Sequence, residues 1–94
     1  MKPTIGRIVH YRLSAQDAQE ITSRRGVRAH ANEFLRGNSV KEGDTFPAMI
    51  VHVWGEAPES AVQLQVFLDG NDTHWATSVQ VGEGPHTYSW PTRD

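Results

Sequence analysis

Between Val40 and Ser78 the chain alternates strand-like runs with short polar breaks. Phe46 to Trp54 is almost continuously apolar, as expected of a strand covered on both faces or bent between two. Ala61 to Leu68 alternates, with Val62, Leu64, Val66 and Leu68 on one side and Gln63, Gln65, Phe67 and Asp69 on the other. Thr73 to Val81 sets Trp75, Thr77, Val79 and Val81 on a single face. Gly55-Glu56-Ala57-Pro58 and Asp69-Gly70-Asn71-Asp72 separate these runs, and both suit tight turns. The pattern predicts a β-meander.

Outside the meander, Ile5 to Leu13 reads as a first strand, with Ile5, Val9, Tyr11 and Leu13 facing away from Gly6, His10 and Arg12. Arg7 interrupts that strand and suggests an edge or the mouth of a cleft. Ser14-Ala15-Gln16-Asp17 matches a capping box, in which a hydroxyl and a carboxylate satisfy the free amides of a helix start. A helix is predicted from Ala15 to about Arg25, with Ala18, Ile21 and Thr22 inward and Gly26 as its stop. Val27 to Asn38 admits a short second helix before Gly37 or a loop packing Phe34 on the barrel. His86 to Trp90 makes a last short strand, halted by Pro91.

Five short strands with one or two short helices predict a mainly β chain. The expected shape is a small, strongly bent antiparallel barrel of SH3-like form, occupying 1–94 as one domain. A sandwich would need more strands.

Composition narrows the function classes. With 94 residues and 37% hydrophobic content the core is small, which suggests stabilisation through subunit contacts and a homo-oligomer. No cysteine is present, so neither disulfides nor thiolate metal sites arise, and a cytoplasmic setting fits. A net charge of −2 argues against general nucleic-acid or anionic-membrane partners. Met1 to Thr4 leads into no long apolar run, so neither a signal peptide nor a membrane span is expected.

The five histidines, His10, His30, His52, His74 and His86, show no metal-ligand spacing and read as scattered surface or rim groups. Asp69 and Asp72 form a carboxylate pair whose plainer role is bonding to the turn backbone. No nucleophile elbow or phosphate loop occurs, so no catalytic residue, metal or cofactor is expected and the chain reads as a non-enzyme. Two features bear on binding. Tyr11, Trp54, Phe67, Trp75, Tyr88 and Trp90 fall near Asn71, Asp72, Thr73 and His74, and Trp and Tyr suit stacking or enclosure of a cation. The alternative is a Trp-rich core with a subunit interface. Arg24, Arg25 and Arg28 either solvate a helix end or grip phosphate.

Gly6 to Tyr11, Arg24-Arg25, Gly37-Asn38, Phe46 to Val51, Val62 to Thr73, Trp75 to Ser78 and Ser89-Trp90-Pro91 together resemble a family of small proteins of tailed bacteriophages and prophages. Gly43 to Ala48 and Val66 to Gly70 also resemble the first strands of Tudor-type barrels. The phage resemblance carries over no catalytic residue. It implies a virion part, an inhibitor of a host factor, or a binder that sequesters nucleotide immune signals in the host bacterial cytoplasm. For the last, the expected ligand is a nucleotide-derived small molecule. Trp54, Trp75 and Trp90 would stack on it, Asn71, Asp72, Thr73 and His74 would read polar edges, and Tyr11, Arg7, Arg12, Arg24 and Arg25 would complete the site. The alternative is an SH3- or Tudor-like surface that docks a host peptide.

Overall fold

A computed structural model describes residues 1–30 and 35–92. Strands β1 (Ile8–Arg12), β2 (Thr45–Val53), β3 (Val62–Phe67), β4 (Thr73–Val81) and β5 (Thr87–Ser89) close a barrel in chain order, with helix α1 (Ala15–His30) after β1. This is a mainly β, five-stranded barrel of SH3-like form. Its ladder is antiparallel except at the seam, where β5 lies parallel to β4 through Gln80↔Thr87 and Val81↔Tyr88. Val9, Tyr11, Leu13, Ile50, Val62, Leu64, Val66, Val79 and Tyr88 fill the interior, and Ile21 brings α1 onto it. The β3 alternation holds, with Val62, Leu64, Val66 and Leu68 all buried.

Three expectations are corrected and one open alternative is decided. Ile5 lies outside β1 and is exposed, because residues 4–7 turn through Gly6 at φ 92° before the strand begins. Helix α1 passes through Gly26 to His30, so Arg24 and Arg25 sit within it, and Thr22 faces solvent. Tertiary anchoring of Arg25 outweighs the roughly 1 kcal/mol helix cost of one glycine. The β4 face is not continuous. His74 and Ala76 point inward, Trp75 and Thr77 outward, and Val79 inward again, because an irregularity in the β3 pairing at Ser78, φ 53°, inserts a residue. Of the two readings of the Phe46–Trp54 run, the bent strand holds and the doubly covered one does not. Its register shifts between Ile50 and His52, leaving Val51 on the open outer face. The second-helix alternative and Phe34 fall on residues 31–34, outside the described residues; Val27 itself belongs to α1.

Gly37 and Gly70 join the chain after α1 to the β3–β4 turn by an isolated antiparallel bridge. The backbones approach so closely that a Cβ on Gly70 would clash with the Arg36 carbonyl and lie 2.7 Å from Gly37 Cα. Glycine is required on both sides.

Candidate functional site

The first turn of α1 enters the barrel wall through its cap. Ser14 Oγ accepts from the Asp17 amide at 3.0 Å, and Asp17 Oδ2 accepts from the Ser14 amide at 2.9 Å, as the capping box predicts. The same carboxylate does more than cap. Its Oδ1 lies 3.0 Å from His74 Nε2 of β4, and its Oδ2 accepts from the Tyr11 hydroxyl of β1. His86 Nδ1, from the β4–β5 turn, lies 2.7 Å from the Tyr11 oxygen, and His86 Nε2 lies 3.1 Å from the Thr77 carbonyl. One buried carboxylate thus joins α1, β1 and β4, and through Tyr11 reaches the β4–β5 turn.

Electrostatics follow from this geometry. Burial alone would push the Asp17 carboxyl up, but hydrogen bonds from His74, the Ser14 amide and Tyr11 together hold it well below the usual carboxylate range. The Tyr11 phenol moves far up, first from burial and then from its bond to Asp17. Because Asp17 is anionic, His74 donates through Nε2; its Nδ1 is sealed from solvent and has no partner among the described residues.

Beside this cluster opens a cleft of about 560 Å³, lined by Asp17, Glu20, Glu42, Trp75, Thr77 and His86 among others. Among the described residues, no lysine or arginine lines it. Trp75 is 58% exposed at its wall, and His86 is the other half-open ring. Trp75 also continues a cross-strand row over the outer sheet face, through Gln65 and Met49 to Ile8. Ile8 and the nearby Val51 and Phe67 are exposed as well.

Asp17, Glu20 and His74 also offer ligand atoms within 4.8 Å of one another. A divalent ion would need the Nε2 lone pair of His74, which moves the ring proton to the sealed Nδ1. Metal-bound imidazoles keep an acceptor at the second nitrogen, and Nδ1 has none. The cluster suits a polar tether better than an ion.

The structure brings together only part of the expected site. His74 and Trp75 line the cleft and Tyr11 lies buried behind it, bonded to Asp17 and His86, while Trp54 and Trp90 lie away from its lining. Trp54 follows β2, packs edge-on against His52 and donates to Gln63 Oε1 at 3.2 Å. Trp90 packs edge-on against Tyr88, with the Arg7 guanidinium 5.3 Å above its ring.

The remaining polar candidates serve the fold. Arg25 grips Asp72 with two bonds of 2.9 Å and donates to the Asn38 carbonyl, while Arg24 donates to the Thr73 carbonyl at 3.3 Å. Arg12 donates to the Glu83 carbonyl, and Asn71 Oδ1 accepts from the Arg36 amide. Asp69 accepts from the Asn38 side chain. Arg28 belongs to α1, but its side chain lies outside the described residues.

Sequence reasoning reached Asp17 only as a cap and passed over Glu20, Glu42 and His86 as cleft residues. The legible signal was the capping box three residues after inward-facing Tyr11, which places a carboxylate near a phenol. Among the described residues no helix is long and apolar enough to cross a membrane. No protein-family model, no curated protein and no solved structure matches the chain.

Proposed function

We propose that this chain is a small binding module whose cleft at the start of α1 takes a basic segment of a partner protein. The observation that carries this reading is the lining itself: Asp17, Glu20 and Glu42 beside one open indole, with no lysine or arginine among the described residues. Carboxylates attract a guanidinium or ammonium group, and an indole face adds cation–π attraction. The row from Trp75 to Ile8 then offers apolar purchase for residues flanking the basic one. The likeness of several segments to phage proteins supports a host factor as the partner, blocked by occupancy in the host bacterial cytoplasm.

A nucleotide-derived ligand is the second reading. It is favoured by Arg7 stacked over Trp90, a cation and an indole together at the surface. Against it stand Arg12, Arg24 and Arg25, each already bonded within the fold, and the acidic cleft, which repels phosphate.

Calorimetry with a basic, apolar-flanked peptide, an acidic peptide of the same length and a nucleotide panel separates the two. The basic peptide alone should bind, with affinity falling as salt rises, and Glu20→Gln with Glu42→Gln should weaken it about tenfold. Binding that ignores that double substitution would sink the cleft reading. A nucleotide that binds, returns intact after heating and is lost in Arg7→Ala would establish the second. Light scattering reports whether copies associate around either guest.

A further inference from the structure

The barrel closes along only part of β4. Successive residues of a strand aim their N–H and C=O at opposite edges. Ile50 bonds to the Arg7 carbonyl and the Gly6 amide, on the β1 side, so Met49 faces β3 and its partner Gln65 faces β2. Leu64 and Val66 therefore face β4, where Ala76 and His74 answer them. By the same alternation the backbone groups of Thr73, Trp75 and Thr77 point away from β3. Two side chains meet carbonyls of that set: Arg24 donates to Thr73 at 3.3 Å, and a His86 ring nitrogen lies 3.1 Å from Thr77. Beyond this edge, β5 pairs with β4 only at Gln80 and Val81. Among the described residues nothing meets the backbone N–H or C=O of Trp75, midway between the two occupied carbonyls. His74 to Thr77 line the cleft together with Ser14 to Asp17 and Glu20, so the open edge belongs to it.

We propose that the basic segment of the partner enters extended and adds to β4 as a short strand, exchanging hydrogen bonds with the N–H and C=O of Trp75. The guest itself rests on the proposed function; its conformation and side-chain order come from the edge. Charge complementarity selects it, since Asp17, Glu20 and Glu42 line the cleft with no lysine or arginine among the described residues. Side chains of an added strand follow the pleat of β4. The guest residue opposite Trp75 lies on the outer face beside the indole, which suits an apolar side chain. Its neighbours lie on the face of His74, where Asp17 is bonded and Glu20 is close by, which suits arginine or lysine. The guest therefore alternates basic and apolar residues. Arg24 and His86 confine the pairing to the stretch around Trp75.

Hydrogen exchange followed by NMR on the full chain tests the edge first. Without peptide, the Trp75 amide should exchange at least about tenfold faster than those of His74 and Ala76, which the ladder protects. Equal protection would overturn the proposal by showing the edge closed, and protection that grows with protein concentration would assign it to a second copy instead. A saturating peptide of alternating basic and apolar residues should slow Trp75 exchange about tenfold or more. Calorimetry with that peptide, N-methylated at one amide at a time, should then show affinity falling about tenfold at positions of one parity and little at the other. Full affinity whichever amide is methylated overturns strand addition and leaves the acidic cleft as the binding site. Absence of binding by the unmethylated peptide overturns both together.

Discussion

Helix α1 is tied to the barrel twice, each time through an aspartate, and the two ties differ in depth and in what they leave over. Near its start, Asp17 is buried and collects donors from Ser14, Tyr11 and His74. Nearer its end, Arg25 reaches Asp72 in the β3–β4 turn as a two-bond clasp closer to the surface. The second tie closes on itself: guanidinium meets carboxylate, and the neighbouring Asn38, Asn71 and Thr73 carbonyl bind the same helix-to-turn junction. The first leaves Glu20, Glu42, His86 and Trp75 around an open cleft. Charge density alone therefore misleads. The region richest in arginine and aspartate is where charges cancel within the fold, and the cleft lies where the balance is uneven.

The sharpest way to break this comparison is to remove each anchor. Asp17→Ala strips a buried carboxylate from three donors and should cost about 3–5 kcal/mol in urea unfolding. A loss below about 1 kcal/mol would mean that the network adds little. Gly70→Ala tests the other end by backbone contact; with no room for a Cβ against Arg36 and Gly37, it should cost about 2–4 kcal/mol. Arg25→Ala should cost less, about 1–2 kcal/mol, and the deficit should shrink in high salt.

Acid separates the ties more finely. Arg25 holds the Asp72 carboxyl below its ordinary range, and Asp17 is held lower still by its three donors. Each contribution is complete above the unfolded carboxylate value of about 3.9 and is lost as pH falls through the lower folded value. Urea midpoints should hold down to about pH 5 and decline below about pH 4. Asp72→Asn should remove only the smaller part of that decline; removal of nearly all of it would reverse the ranking. The smallest stability effect belongs to Trp75→Ala, within about 0.5 kcal/mol because the ring is mostly exposed. The same substitution should abolish peptide binding, and circular dichroism should stay native.

The strands, their order and the capped start of α1 were legible because each is written in local terms. Period-two alternation marks Val62 to Leu68, and Ser14 with Asp17 marks a helix start whatever surrounds it. Helix length was less legible, since Gly26 is a stop only when nothing distant holds the helix together. The face of Trp75 was misread because one inserted residue at Ser78 inverts every side chain on one side of it.

Sequence alone determined a closed β scaffold with a carboxylate anchored at the first helical turn, because turn chemistry and side-chain alternation act over a few residues. Tertiary structure decided that Tyr11, Asp17, His74 and His86 meet, that Arg25 belongs to Asp72, and that the three indoles lie apart. The physical reason is distance along the chain. Asp17 and His74 are 57 residues apart and Tyr11 and His86 are 75 apart, so their contacts arise only when the barrel closes.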